Sequence, residues 1–396
     1  MADLTVIRNA VVITPTKTID EGAIAFKDGK IEALGTGAEL NAYPGFRHAE
    51  VIDACGNLVC PGFIDRHLHG GGGADTMDAD LDALRAMSNA HGSFGVTAFC
   101  PATMAAPDAE IERALRVIAV AVREGLPGAQ VIGAHIEGPC MSVEARGAHS
   151  EEYVRGSPPT LERLDRFIKA SAATISLWTL APELPGAMEF IRAAKSRGVK
   201  VSIGHTKASY ADVTAAVAAG ASSVTHLFNA MAGFHYRDAG GIMAVLFSRG
   251  KLMAELIADG AHVHPAALHV AIESMRASNI VLITDAMRPV GLPSMNSFKL
   301  PGLTVYVRDG RAVTEEGKLC GSLLTLNRAV KNVNEMLGRP LQEAIQFATI
   351  NAARSLGIES RKGSLEIGKD ADIVICDTLL NVQRTIVAGK TVHRIN

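Results

Sequence analysis

Two histidines two residues apart, His67 and His69, close an apolar run in "PGFIDRHLHGGGG", residues 61–73. In a strand, residues two apart project to one face. Both imidazoles therefore point one way and Leu68 the other. Paired imidazoles at a strand end are half of a metal site. The glycines that follow, Gly70 to Gly73, let backbone pass close to whatever sits there. The pair alone fits two ordinary histidines at a sheet edge equally well; the other half must be sought further along.

It is found at the ends of other apolar runs. "HIEGP" brings His135 and Glu137, "GHT" brings His205, and "THLFNAM" brings His226 and Asn229. "ADGAHVH" carries Asp259, His262 and His264, and "TDA" carries Asp285. Charges buried at so many strand ends cost several kcal/mol each unless paired or metal-bound. Imidazoles and carboxylates suit a borderline or hard divalent cation such as Zn²⁺ or Fe²⁺. Glu137, His205 and His226 make a three-ligand site with an open position for water. His67 and His69, with Asp285 near, make a second site bridged through Glu137, so one or two ions per chain are expected. Such a cation brings the pKa of its water down towards ~7. A carboxylate in reach, Asp285, can take that proton and deliver it to a leaving amine. Those parts suit hydrolysis of an amide or similar bond.

The elements that must position these residues are legible too. Residues 3–54 read as short strands with turn signals such as Asp28-Gly29. From residue 57, eight apolar strand-length runs alternate with segments of helical spacing, several ending on Gly. That alternation indicates a parallel closed sheet, a (β/α)8 TIM-type barrel. The alternative, an open doubly wound sheet, lacks a Gly-x-Gly-x-x-Gly turn after the first strand. After Ala286 come hairpin-like strands near 303–318, then helices from Ser322 to Leu337 and Leu341 to Leu356. Strands return in the tail. The expected division is a catalytic barrel over 57–357 and a small β-sandwich domain built from 1–56 and 358–396. Trp178, the only Trp, is assigned to the core.

Composition narrows the function classes. A chain of 396 residues with 48% hydrophobic and 20% charged residues is an ordinary globular sequence. A net charge of −2 gives no bulk attraction to nucleic acid or to an anionic membrane. The beginning of the chain lacks the pattern of a secretory leader, and no apolar run reaches membrane-spanning length. Six cysteines without a Cys-x-x-Cys pair point to a reducing cytosol. Cys140 is set apart from the others because it lies beside a candidate ligand.

Over nearly its whole length the chain resembles the N-acetylglucosamine-6-phosphate deacetylase family of the amidohydrolase superfamily. "HIEGP", "RGAH", "LAPE", "GHT", "VTHLFNAM", "ADGAHV", "LITDA", "GSLLT" and "KGSLEIGKDADIV" fall in that family's order. The resemblance implies removal of the acetyl group from a phosphorylated N-acetyl amino sugar in the cytoplasm. N-acetylgalactosamine 6-phosphate, or another small N-acyl or cyclic amide, is the alternative substrate. It assigns Glu137, His205 and His226 to the first metal, His67 and His69 to a second, and Asp285 to the general base and acid. His149, in "RGAH", polarises the substrate carbonyl. Amides at Asn229 and Ala230, with the side chains of His262 and Arg237, reach the sugar phosphate. The matching Arg comes from a neighbouring subunit, which implies a homodimer. The chain departs from the family's pattern after "NAM", where Arg237 precedes Asp238-Ala239-Gly240-Gly241.

Overall fold

The computed structural model describes residues 4–395. Strands from both ends of the chain form one eight-stranded sheet. Its N-terminal members are Thr5–Ile13, Thr18–Lys27, Lys30–Thr36, Glu50–Asp53 and Leu58–Pro61. Ile373–Cys376, Val382–Val387 and Lys390–Arg394 come from the other end. Asp28 and Gly29 both have positive φ, 50° and 78°, which is what a two-residue turn matching strand twist demands. The inner face is an aliphatic cluster that includes Ile7, Val12, Ile24, Val59, Ile373 and Ile386. Burying each such side chain stabilises by roughly 1.5–3 kcal/mol, so the two ends of the chain hold each other.

Parallel pairing takes over at Phe63. Phe63–Leu68 pairs with Val96–Pro101, which pairs with Gln130–Val131. A six-stranded parallel set follows in sequence order: Ala134–Glu137, Ile175–Leu180, Lys200–Ile203, Ser223–Val224, Met253–Leu256 and Ile280–Leu282. A parallel bridge between Ala102 and His135 joins the two groups. At the far edge the chain meets the first strand again: the Asp285 N–H donates to the His67 carbonyl and the His69 N–H to the Ala286 carbonyl, both at 2.9 Å. Helices Leu81–Gly92, Asp108–Glu124, Ala187–Ser196 and Tyr210–Ala219 occupy the segments with helical spacing. Ser209 and Asp212 cap the last of these reciprocally, and Gly220 ends it. Trp178 is fully buried, stacked on Phe167 at 5.4 Å and edge-on to Phe190.

Two elements differ from the sequence reading. The apolar run from Leu58 to Ile64, which reads as one buried strand, divides at Gly62. A Cβ on Gly62 would lie 2.2 Å from the Thr97 side chain, and its N–H donates to Asp372 of the terminal sheet. Only glycine fits against Thr97 at the point where the chain changes sheets. The helix expected from Leu341 to Leu356 is two, Leu341–Phe347 and Ile350–Leu356. At the break the Thr349 hydroxyl bonds back to the Ile345 carbonyl, a local contact that competes with the helix.

The excursion near 303–318 contains a three-stranded antiparallel sheet, Ser297–Leu300, Leu303–Arg308 and Arg311–Val313. Its apolar face packs on Met104, Met287 and Cys320. No helix among the described residues is long and apolar enough to cross a membrane.

Candidate metal-dependent active site

The parallel strands deliver their terminal side chains to a cavity of about 170 Å³. His69, Glu137, His149, His205, His226, Asn229, Ala230, His262 and Asp285 all line it, and Leu300, Leu319 and Cys320 of the excursion complete its wall. Four of these residues hold strained backbone: φ is 50° at His205, 30° at His226, 51° at Ala230 and 51° at Asp285. Such strain at non-glycine residues persists only where the surrounding fold enforces it, and it clusters at functional sites.

Glu137 is the centre. Its Oε1 lies 3.2 Å from His205 Nε2, 3.1 Å from His226 Nε2 and 3.4 Å from His67 Nε2. Its Oε2 lies 3.0 Å from His69 Nε2 and 3.4 Å from His149 Nε2. Asp285 Oδ1 is 3.2 Å from His69 Nε2 and 3.6 Å from His67 Nε2. Burial opposes every charge here. In His205 burial prevails and the pKa falls to about 4. In His69 the Asp285 and Glu137 carboxylates outweigh burial and raise it to about 10. Glu137 is held well below the usual carboxylate range because His67, His149, His205 and His226 together overcome its burial.

Second contacts decide what each imidazole presents. His205 Nδ1 is 2.9 Å from the Ala145 carbonyl, which can only accept, so Nδ1 carries the proton and Nε2 faces the cavity with its lone pair. His226 Nε2 lies 3.0 Å from that atom. The buried His67 Nε2 has no hydrogen-bond partner among the described residues. Imidazole nitrogens and carboxylate oxygens that converge on one point are the donor set of a cation, so the residues present fit a divalent metal. The backbone N–H of Ala105 donates to His149 Nδ1, which leaves the proton of a neutral His149 on Nε2, towards the cavity.

The expected phosphate residues divide. His262 lines the cavity, its Nδ1 held by Asp259 Oδ2 at 2.7 Å. The Asn229 N–H is committed to the His226 carbonyl, while no partner for the Ala230 N–H appears among the described residues. Arg237 is not brought to its own cavity: it is exposed, its guanidinium 5.0 Å over the Tyr236 ring. His264 caps the helix Pro265–Ser274 and takes no part. The Cys140 thiol faces Arg163 instead of the cavity, and burial pushes its pKa up to about 11.

Sequence reasoning missed the supporting groups. Glu255, fully buried, accepts from His67 Nδ1 at 3.0 Å. Asp65 accepts from the Thr284 hydroxyl at 2.6 Å and ties the first strand to the segment carrying Asp285. A lone Glu inside the apolar run "LMAELIAD" was the available signal for the former. The glycine run permits close approach, as expected. Gly70 packs on the backbone of Ala74 and Arg288, and Gly71 on the His91 imidazole, where a Cβ would come within 2.7 Å. The close approach is to the protein's own chain.

The chain is similar to known proteins over nearly its whole length. The amidohydrolase family matches residues 58–392. N-acetylglucosamine-6-phosphate deacetylase of Vibrio furnissii is 40% identical over 91% of this chain and 90% of its own length. N-acetylgalactosamine-6-phosphate deacetylase of Escherichia coli O157:H7 is 37% identical over 97% and 98%. The crystal structure of N-acetylglucosamine-6-phosphate deacetylase from Pasteurella multocida superimposes with a TM-score of 0.91 at 31% identity, covering 98% of this chain and 99% of that one. The chain therefore belongs to the amidohydrolase family, within its N-acetylglucosamine-6-phosphate deacetylase branch.

Proposed function

We propose that this chain hydrolyses the amide of N-acetyl-D-glucosamine 6-phosphate to acetate and glucosamine 6-phosphate. The observation that carries this reading is the convergence of His67, His69, His149, His205 and His226 on Glu137, beside Asp285, in a cavity also lined by His262 and Ala230. Relatives named for this reaction support the substrate. The E. coli relative named for the galactosamine epimer keeps that sugar as the second reading.

Glu137, His205 and His226 hold one ion, and His67 and His69 hold a second, zinc or iron by donor chemistry. A divalent ion bound there supplies Lewis acidity to an amide carbonyl and acidifies water. Asp285 takes the proton of the attacking water and passes it to the departing nitrogen. His149 donates its Nε2–H to the carbonyl oxygen as negative charge develops on it. The Ala230 N–H and the His262 imidazole, aligned by Asp259, bind the phosphate at the rim.

The position of Arg237 outside its own cavity favours a homodimer in which it serves the partner's phosphate site. The hydrogen bonds from Asp285 to His67 and from His69 to Ala286 favour closure of the parallel strands into a (β/α)8 barrel. That barrel spans 57–357, flanked by a small β domain from 1–56 and 358–396. Six free cysteines suit a cytoplasmic enzyme.

Acetate release from N-acetylglucosamine and N-acetylgalactosamine, each with and without the 6-phosphate, tests the reading. The expected result is turnover of the glucosamine phosphate well ahead of the rest. Preference for an unphosphorylated sugar would sink the substrate assignment, and preference for the galacto epimer would replace it with the second reading.

A further inference from the structure

One buried ion pair has no part in the chemistry above. Arg66 Nε donates to Glu255 Oε1 at 2.8 Å, and both side chains are wholly buried. Desolvating such a pair costs about as much as its attraction returns, so stability alone does not account for it. The other carboxylate oxygen has two further partners. Glu255 Oε2 accepts from His67 Nδ1 at 3.0 Å and from the backbone N–H of His226 at 3.2 Å. One carboxylate thus touches a residue from each of the two metal positions proposed above.

Adjacent residues of a regular strand face opposite sides. Arg66 and His67 nonetheless reach the same carboxylate, and the pairing of their strand with Val96–Pro101 breaks register between Asp65 and Leu68. The His67 ring also packs edge-on against His135 at 4.3 Å, and His135 is itself pinned to the Thr179 hydroxyl at 2.7 Å. The ring is thereby gripped on one nitrogen and one edge, while its Nε2 has no hydrogen-bond partner among the described residues.

We propose that Glu255 is the positioning residue of the second metal site. By accepting the Nδ1–H it fixes the tautomer and orientation of His67, presents Nε2 to the ion and makes that nitrogen a stronger donor. Arg66 keeps the carboxylate ionised and in place. The inference rests on the proposed reading of His67 as a ligand.

Calorimetric titration of metal-depleted protein with Co²⁺, followed also by the cobalt visible spectrum, tests it. Two variants are needed. Glu255→Asp keeps the charge opposite Arg66 and withdraws the carboxylate from His67. The pair Arg66→Met with Glu255→Gln removes both charges and strands neither. The wild type should bind two ions. Both variants should weaken the second ion by about ten- to a hundredfold, keep the first, and retain the wild-type circular dichroism. A folded variant that binds the second Co²⁺ with wild-type affinity and spectrum overturns the proposal, even with a lowered Tm, because a merely structural pair changes Tm alone. If the wild type binds a single ion, the two-ion reading of the site fails instead.

Discussion

The Nε2 atoms of His205 and His226 lie 3.0 Å apart, with the opposite nitrogen of His205 committed to the Ala145 carbonyl. Two imidazole nitrogens in that relation, both within 3.2 Å of Glu137 Oε1, are placed to share a cation. His205→Ala should therefore abolish the tightly held ion, whereas joint replacement of His67 and His69 by Ala should lower metal content and leave that ion in place. Elemental analysis of the purified variants distinguishes the two. Equal loss in both would merge the two proposed sites into one.

Asp285 touches His69 and approaches His67 on the far side of Glu137, and its carboxyl is kept ionised because His69 and His67 outweigh its burial. Asp285→Asn keeps the shape and removes the proton acceptor. Loss of general acid–base catalysis typically lowers the rate by ~10²–10⁴. A fall in kcat of that size is expected, with unchanged circular dichroism. A fall under tenfold would transfer the proton role elsewhere, with His149 the next residue to test.

His262→Ala removes an imidazole that Asp259 holds towards the cavity. Arg237→Ala removes an exposed guanidinium assigned to the partner's site. Each charge-assisted hydrogen bond lost costs roughly 1.5–3 kcal/mol. Each variant should lower kcat/KM for the phosphorylated sugar by about ten- to a hundredfold and leave the unphosphorylated sugar nearly unchanged. Equal losses on both sugars would contradict the phosphate assignment.

His91 lies beneath the glycine run with Nε2 on the Gly70 carbonyl at 2.9 Å, and burial lowers its pKa from 6.5 to about 4. The unfolded chain takes up this proton first as pH falls. Stability from this group is therefore intact above pH 6.5 and is lost progressively down to about pH 4. The full loss is about 3 kcal/mol, from 1.36 kcal/mol per pKa unit. His91→Gln, which keeps a donor for Gly70, should flatten that part of the stability profile in urea unfolding between those limits. Parallel profiles for the two proteins would place the proton elsewhere.

How much of this was legible from residues alone depended on whether a neighbour in sequence or in space set the outcome. The helix Tyr210–Ala219 was readable because Ser209 and Asp212 announce its start and Gly220 its end. The gathering of His67, His69, His205 and His226 around Glu137 was readable because charged residues at the ends of apolar strands have few other reasons to be there. The strand break at Gly62 was not, since the Thr97 side chain that admits only glycine there lies 35 residues further along the chain. Glu255 was overlooked for a similar reason. Its partners, Arg66 and His67, come from the first parallel strand, and nothing local marks it beyond being a charge in an apolar run. The glycines after His69 were rightly read as permitting close approach, but what approaches is Arg288 backbone and the His91 ring.

Acetate release from N-acetylglucosamine 6-phosphate, measured before and after exhaustive chelation and again after divalent metal is restored, tests the central claim most directly. The account predicts turnover in the purified protein, loss of nearly all of it on chelation, and recovery as the first equivalent of metal returns to Glu137, His205 and His226. Full activity in protein proved free of metal would contradict it.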